Sequence, residues 1–142
     1  GDICSFLCDT ANIKIAFRCA MTDKKRDFVE AAIGDCSVLD RKKLIETTLK
    51  GKDELAEYLS KSDYREGAEI YLESAAGYEK WCDDKIIFLA KKSVFTTFGF
   101  DPVCAYYYAK LTEMKSVRII LTGLKSGADK SDIKERVRAL YV

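Results

Sequence analysis

From Pro102 the chain runs to Thr122 without a second proline, and it meets no glycine until Gly123. Pro102 suits a first helical turn, where its missing N–H costs nothing, and Asp101 before it is a good cap. Residues 102–122 therefore predict a helix about 31 Å long, unusual for a small domain. Val103, Tyr107, Leu111, Met114, Val117 and Leu121 recur at helical spacing and predict a core-facing stripe. Tyr106, Tyr108, Ile119 and Ile120 stand on other sides. A helix apolar on most sides is expected to be buried against several neighbours and to act as the spine of the fold.

The remaining chain breaks into shorter helical patterns around that spine. Residues 1–20 carry Ile3, Phe6, Thr10, Ile13 and Phe17 on one face and Cys4, Cys8, Ala11 and Ile15 on another. Asp9 and Asn12 share a polar seam between them, and Lys14 and Arg18 a second. A turn at 22–24 leads to a helix over 25–33 that stops at Gly34. Ser37 or Asp40 is expected to cap the next helix, which ends at Gly51, and Asp53 to cap a brief one through Leu59. Residues 64–76 predict a helix with Ala68, Tyr71, Leu72 and Ala75 inward, interrupted at Gly77. Another spans 78–95 and holds Trp81, Lys85, Phe88 and Leu89, followed by a loop at 96–100. After the long helix, Asp129 or Ser131 caps a last one with Ile133, Val137 and Leu140. No run alternates as a strand does. The class is all-α, a pseudo-symmetric bundle of about seven to eight helices, with residues 1–142 forming one domain.

The two ends echo each other. An ungapped offset of 104 residues lays Asp9 on Glu113, Asn12 on Ser116, Lys14 on Arg118 and Phe17 on Leu121. It also lays Val29 on Ile133 and Ile33 on Val137, so the repeat copies are expected at about 1–33 and 105–137. In each copy the acid and the base stand five residues apart, about 140° around the helix, and cannot pair with each other. Each is expected to find its partner on a neighbouring helix or at an interface.

For catalysis the chain offers little. It has no histidine, no phosphate-binding glycine loop and no nucleophile elbow. Asp83-Asp84 and Asp53-Glu54 are adjacent pairs whose members point apart, so solvated faces or caps are the expectation. The six cysteines are expected as small buried hydrophobes rather than disulfides or metal ligands. No cofactor is expected. A net charge of +1 argues against nucleic acid as a partner. Tyr106 and Tyr108, flanking Tyr107, are read either as core residues or as a contact surface. Lys14, Arg18, Arg118, Arg136 and Arg138 either line a socket for an acidic partner or serve as ion-pair members and ordinary surface.

Certain segments are familiar. Gly99-Phe100-Asp101-Pro102, residues 106–110, 113–120 and Lys125-Ser126-Gly127, together with residues 9–18, resemble the C/AC39 family of V-type ATPase and ATP synthase subunits. Ser116 stands where that family often shows asparagine. The resemblance implies an all-helical body of pseudo-symmetric repeats and a non-catalytic role. Its expected partners are stalk subunits D and F and the membrane rotor ring. Its expected place is peripheral, on the cytoplasmic side of the membrane. Family members are longer and the chain opens inside a helical pattern, so a C-terminal fragment is expected. The alternative is a stand-alone helical adaptor domain, or, more distantly, a cysteine-based redox or metal protein.

Overall fold

The computed structural model describes residues 2–93 and 101–141. Eight helices are present there, with no strand among the described residues: α1 (Asp2–Met21), α2 (Arg26–Ala32), α3 (Arg41–Lys50), α4 (Lys52–Ser60), α5 (Arg65–Glu73), α6 (Ala75–Ser93), α7 (Asp101–Ser126) and α8 (Lys130–Arg136). The expected loop at 96–100 and the capping side chain of Asp101 lie outside the described residues. The chain divides into two compact units, Asp2–Ala75 and Ala76–Val142.

In the first unit, α1 packs against α2, α3 and α4, and α4 continues onto α5. Ile3, Ile13 and Phe17 of α1 are buried, as are Val29, Leu44, Leu55 and Leu59. Phe17 stacks on Tyr71 with ring centroids 4.5 Å apart. Asp40 caps α3, its side chain accepting from the N–H groups of Lys42 and Lys43. The turn from α3 into α4 requires φ 118° at Gly51, a conformation that a Cβ would strain. Gly51 also occupies the N-cap of α4, and Asp53 lies inside the first turn instead of capping it. Helix α5 ends earlier than expected. Ser74 is extended and separates it from α6, so the break falls there and Gly77 lies inside α6. Leu72, expected inward, is exposed.

The cysteines depart from expectation as well. Cys19 is buried, Cys4 and Cys8 are exposed, and Cys36, Cys82 and Cys104 are half-buried. The buried arc of α1 centres on positions 9, 13 and 16, and the i, i+4 pair Cys4 and Cys8 falls on the opposite side.

In the second unit α6 buries Tyr78, Asp83, Ile86, Ile87 and Ala90, while Phe88 is exposed. Helix α7 reverses the expected orientation. Its buried stripe is Ala105, Ala109, Thr112 and Ser116, all small, whereas Val103, Tyr107, Met114, Val117 and Leu121 are exposed. Small residues allow close backbone approach, and the large apolar side chains are left facing out. The helix also runs past Gly123 to Ser126. A Cβ on Gly123 would sit 2.6 Å from Cγ1 of Ile133 on α8, so glycine lets α8 close onto α7.

The two helical hairpins, one in each unit, correspond residue by residue at the offset of 104. Helices α2 and α8 both have seven residues and their bounds differ by that offset. Each long helix ends in a Schellman turn with its left-handed residue at the matching place, Asp23 (φ 48°) and Gly127 (φ 71°). Lys24 donates to the Cys19 carbonyl at 3.2 Å, and Ala128 to the Gly123 carbonyl at 3.0 Å. The Gly34 N–H donates to Oδ1 of Asn12 at 3.0 Å. Its counterpart, the Arg138 N–H, donates to Oγ of Ser116 at 3.3 Å. At the offset of 104, Gly123 and Ile133 fall on Cys19 and Val29 of the first hairpin, both buried.

Candidate functional site

Helix α7 carries an exposed apolar face. Val103, Tyr107, Met114, Val117, Leu121 and Leu124 are each more than half exposed. With Lys110 they step along the helix by alternating fours and threes, the 3.5-residue repeat of a coiled-coil seam. A shallow groove of about 570 Å³ runs along this face, lined by Glu113, Met114, Val117, Arg118, Leu121 and Thr122. An exposed apolar strip of this length is a candidate interaction surface.

The acids and bases of the two seams lie in different settings. Asp9 is fully buried. Its carboxylate accepts the Ser37 N–H at 2.6 Å, the Val38 N–H at 2.9 Å and the Tyr64 hydroxyl at 2.9 Å. Two backbone donors and a phenol satisfy the charge. Asn12 extends the clamp by donating to the Asp35 carbonyl at 3.0 Å. Burial, the hydrogen bond to Asp9 and the nearby carboxylate charge push the Tyr64 phenol well above its ordinary value. Glu113, the counterpart of Asp9, is half-buried and pairs with Lys110 at 2.8 Å within α7.

Lys14 is half-buried and Arg18 exposed. Arg118 and Arg136 are exposed along the α7–α8 crevice. Tyr106 is exposed, with the Lys110 ammonium 5.8 Å from its ring centre. Tyr108 is half-buried and meets Tyr107 edge to face. Arg138 reaches Asp83 at 3.0 Å, with both side chains largely shielded. Lys115 reaches the other Asp83 oxygen at 2.6 Å from a more exposed position. In the second unit Arg118 and Arg136 line one crevice, while Arg138 is held by Asp83.

Asp83 and Asp84 are the residues that sequence reasoning missed. Asp83 is a buried ion-pair hub, and Asp84 accepts the Ala139 N–H at 2.6 Å. The spacing 83, 86, 87, 90 placed Asp83 on the core side of α6, a signal the adjacent-pair argument passed over.

Each hairpin also opens a crevice between its two helices. The first, about 350 Å³, is lined by Ile15, Arg18, Cys19, Thr22, Lys24, Phe28 and Ala32. Shifted by 104, all seven positions line the second, of about 330 Å³. Burial raises the Cys19 thiol above its usual value despite Lys24 and Arg18 nearby, which keeps it protonated and unreactive. Among the described residues, no group of three or more histidine, cysteine, aspartate or glutamate side chains could hold a metal ion. No helix among them is long and apolar enough to cross a membrane.

No curated protein and no solved structure matches the chain. The profile of the ATP synthase (C/AC39) subunit family matches residues 1–136. That match takes in both hairpins, their Schellman turns and the whole of α7 and α8. On this ground the chain belongs to the C/AC39 family of V-type ATPase and ATP synthase subunits.

Proposed function

We propose that this chain is a non-catalytic central-stalk subunit of a rotary V-type ATPase or ATP synthase. In this reading it joins stalk subunits D and F to the membrane rotor ring, as a peripheral protein on the cytoplasmic side. Through that link ATP turnover on other subunits is coupled to proton or sodium transport. Family membership over residues 1–136 is the observation that carries the reading.

The task is mechanical, and the side chains suit it. A link that transmits torque must resist shear, and close packing with satisfied buried polar groups provides stiffness. Asp9 and Asn12 tie α1 to the segment after α2. Asp83 ties α6 to Lys115 on α7 and to Arg138 beyond α8. The correspondence at 104 residues supports two copies of one helical-hairpin unit. The exposed face of α7 favours one alternative, a stand-alone adaptor that binds a helical partner outside any motor.

Affinity purification of the tagged chain from detergent-solubilised membranes separates the two. Recovery of stalk subunits and rotor ring supports the coupler. Stable recovery of other partners with ring and stalk absent supports the adaptor.

A further inference from the structure

The seam on α7 specifies what covers it. Large apolar residues at 103, 107, 114, 117, 121 and 124 fall on the a and d positions of consecutive heptads. Tyr106 and Ile120, on the g flank, are exposed as well and widen the strip on one side, while the stripe that α7 buries is a different one, of small residues. A 3.5-residue seam with one apolar flank is the complement of another helix, which meets it knobs into holes at a shallow crossing angle. The seam extends over 22 positions, about 32 Å of helix axis, so a matching partner helix is of similar length.

Charges beside the seam narrow the partner further. In this register Arg118 and Lys125 lie on the e flank, exposed, with no ion pair to either among the described residues. Glu113, on the g flank, is already held by Lys110. Two copies of this chain are poorly matched to each other. Side by side and parallel, they set Lys110 against Lys110 inside the seam. Antiparallel, they run the Arg118 and Lys125 flank along the same flank of the other copy, which carries the same sign.

We infer that α7 docks a long α-helix of another polypeptide, with an apolar heptad seam and acidic residues facing Arg118 and Lys125. The seam stands on geometry alone; only the identity of the polypeptide supplying the helix rests on the coupler reading.

A synthetic helix tests this directly. The probe is a fluorescein-labelled peptide of about 28 residues with leucine at a and d and glutamate at e and g, which repels itself. Its counterpart carries lysine at e and g. Fluorescence anisotropy at low salt with the full chain is expected to show saturable 1:1 binding of the acidic peptide. The lysine peptide binds at least about tenfold more weakly. Met114→Glu combined with Val117→Glu lowers affinity by about tenfold or more while circular dichroism stays unchanged, because both positions are exposed. Binding of neither peptide by the folded chain overturns the inference, as does equal binding of both. So does a dimer in analytical ultracentrifugation that the same two substitutions split, since a second copy then occupies the seam. A co-purification without stalk or ring alongside firm peptide binding removes the coupler reading and leaves the helix-docking face standing.

Discussion

Asp9 and Tyr64 form the most demanding polar contact among the described residues. The carboxylate has no solvent contact and three donors aimed at it. Asp9→Ala strands two backbone N–H groups and a phenol, and is expected to cost about 3 kcal/mol or more, read from urea denaturation midpoints. Tyr64 gives a pH signature. Its phenol titrates higher in the folded chain than the ordinary value of 10.0. Above pH 10 the unfolded chain loses the proton while the folded chain keeps it, so the unfolded state binds fewer protons and stability falls as pH rises. The stabilisation is complete below pH 10 and declines above it. Tyr64→Phe is expected to flatten this alkaline limb, leaving a residual slope from Tyr58, Cys19 and Cys36, which burial also raises. At this scale the sequence marked Asp9 and Asn12 as a polar seam on a buried helix. It could not show that loop N–H groups would meet the carboxylate. Those donors lie 28 and 29 residues away, in a segment without periodicity.

Helix α7 shows how far periodicity carries. Its existence followed from the absence of breakers across 102–122, and the structure extends it to Ser126. Its orientation did not follow. A stripe of large apolar residues serves a core or an interface equally well, and only the burial of the small residues at 105, 109, 112 and 116 shows which side faces inward. The closing contact of the hairpin makes a quantitative case. Gly123→Ala brings a Cβ against Ile133, and overpacking of about 1–3 kcal/mol outweighs the gain of about 1 kcal/mol in helix propensity. Ile133→Val added to it removes Cδ1 but keeps a γ carbon near the new Cβ, and is expected to restore part of the loss. A double-mutant cycle by thermal denaturation checks this, the account requiring a favourable coupling between the two positions.

For the whole molecule, the division at Ala75 and Ala76 carries its own expectation. The first unit brings its own core of Ile13, Phe17, Leu44, Leu55, Leu59 and Tyr71. A polypeptide of residues 2–75 is therefore expected to unfold cooperatively with helical circular dichroism when made alone. A gradual melt without a baseline would show that it depends on the rest of the chain. All-α architecture and family were legible from composition, breakers and two segments in order. The partition was not, because nothing in the sequence near residue 75 resembles a flexible linker. The coupler reading meets its most direct test in vesicles carrying the rotary complex, assembled with and without this chain. The account predicts that ATP-driven ion uptake requires the chain, while ATP hydrolysis by the soluble head continues in its absence. Full uptake without the chain would contradict it.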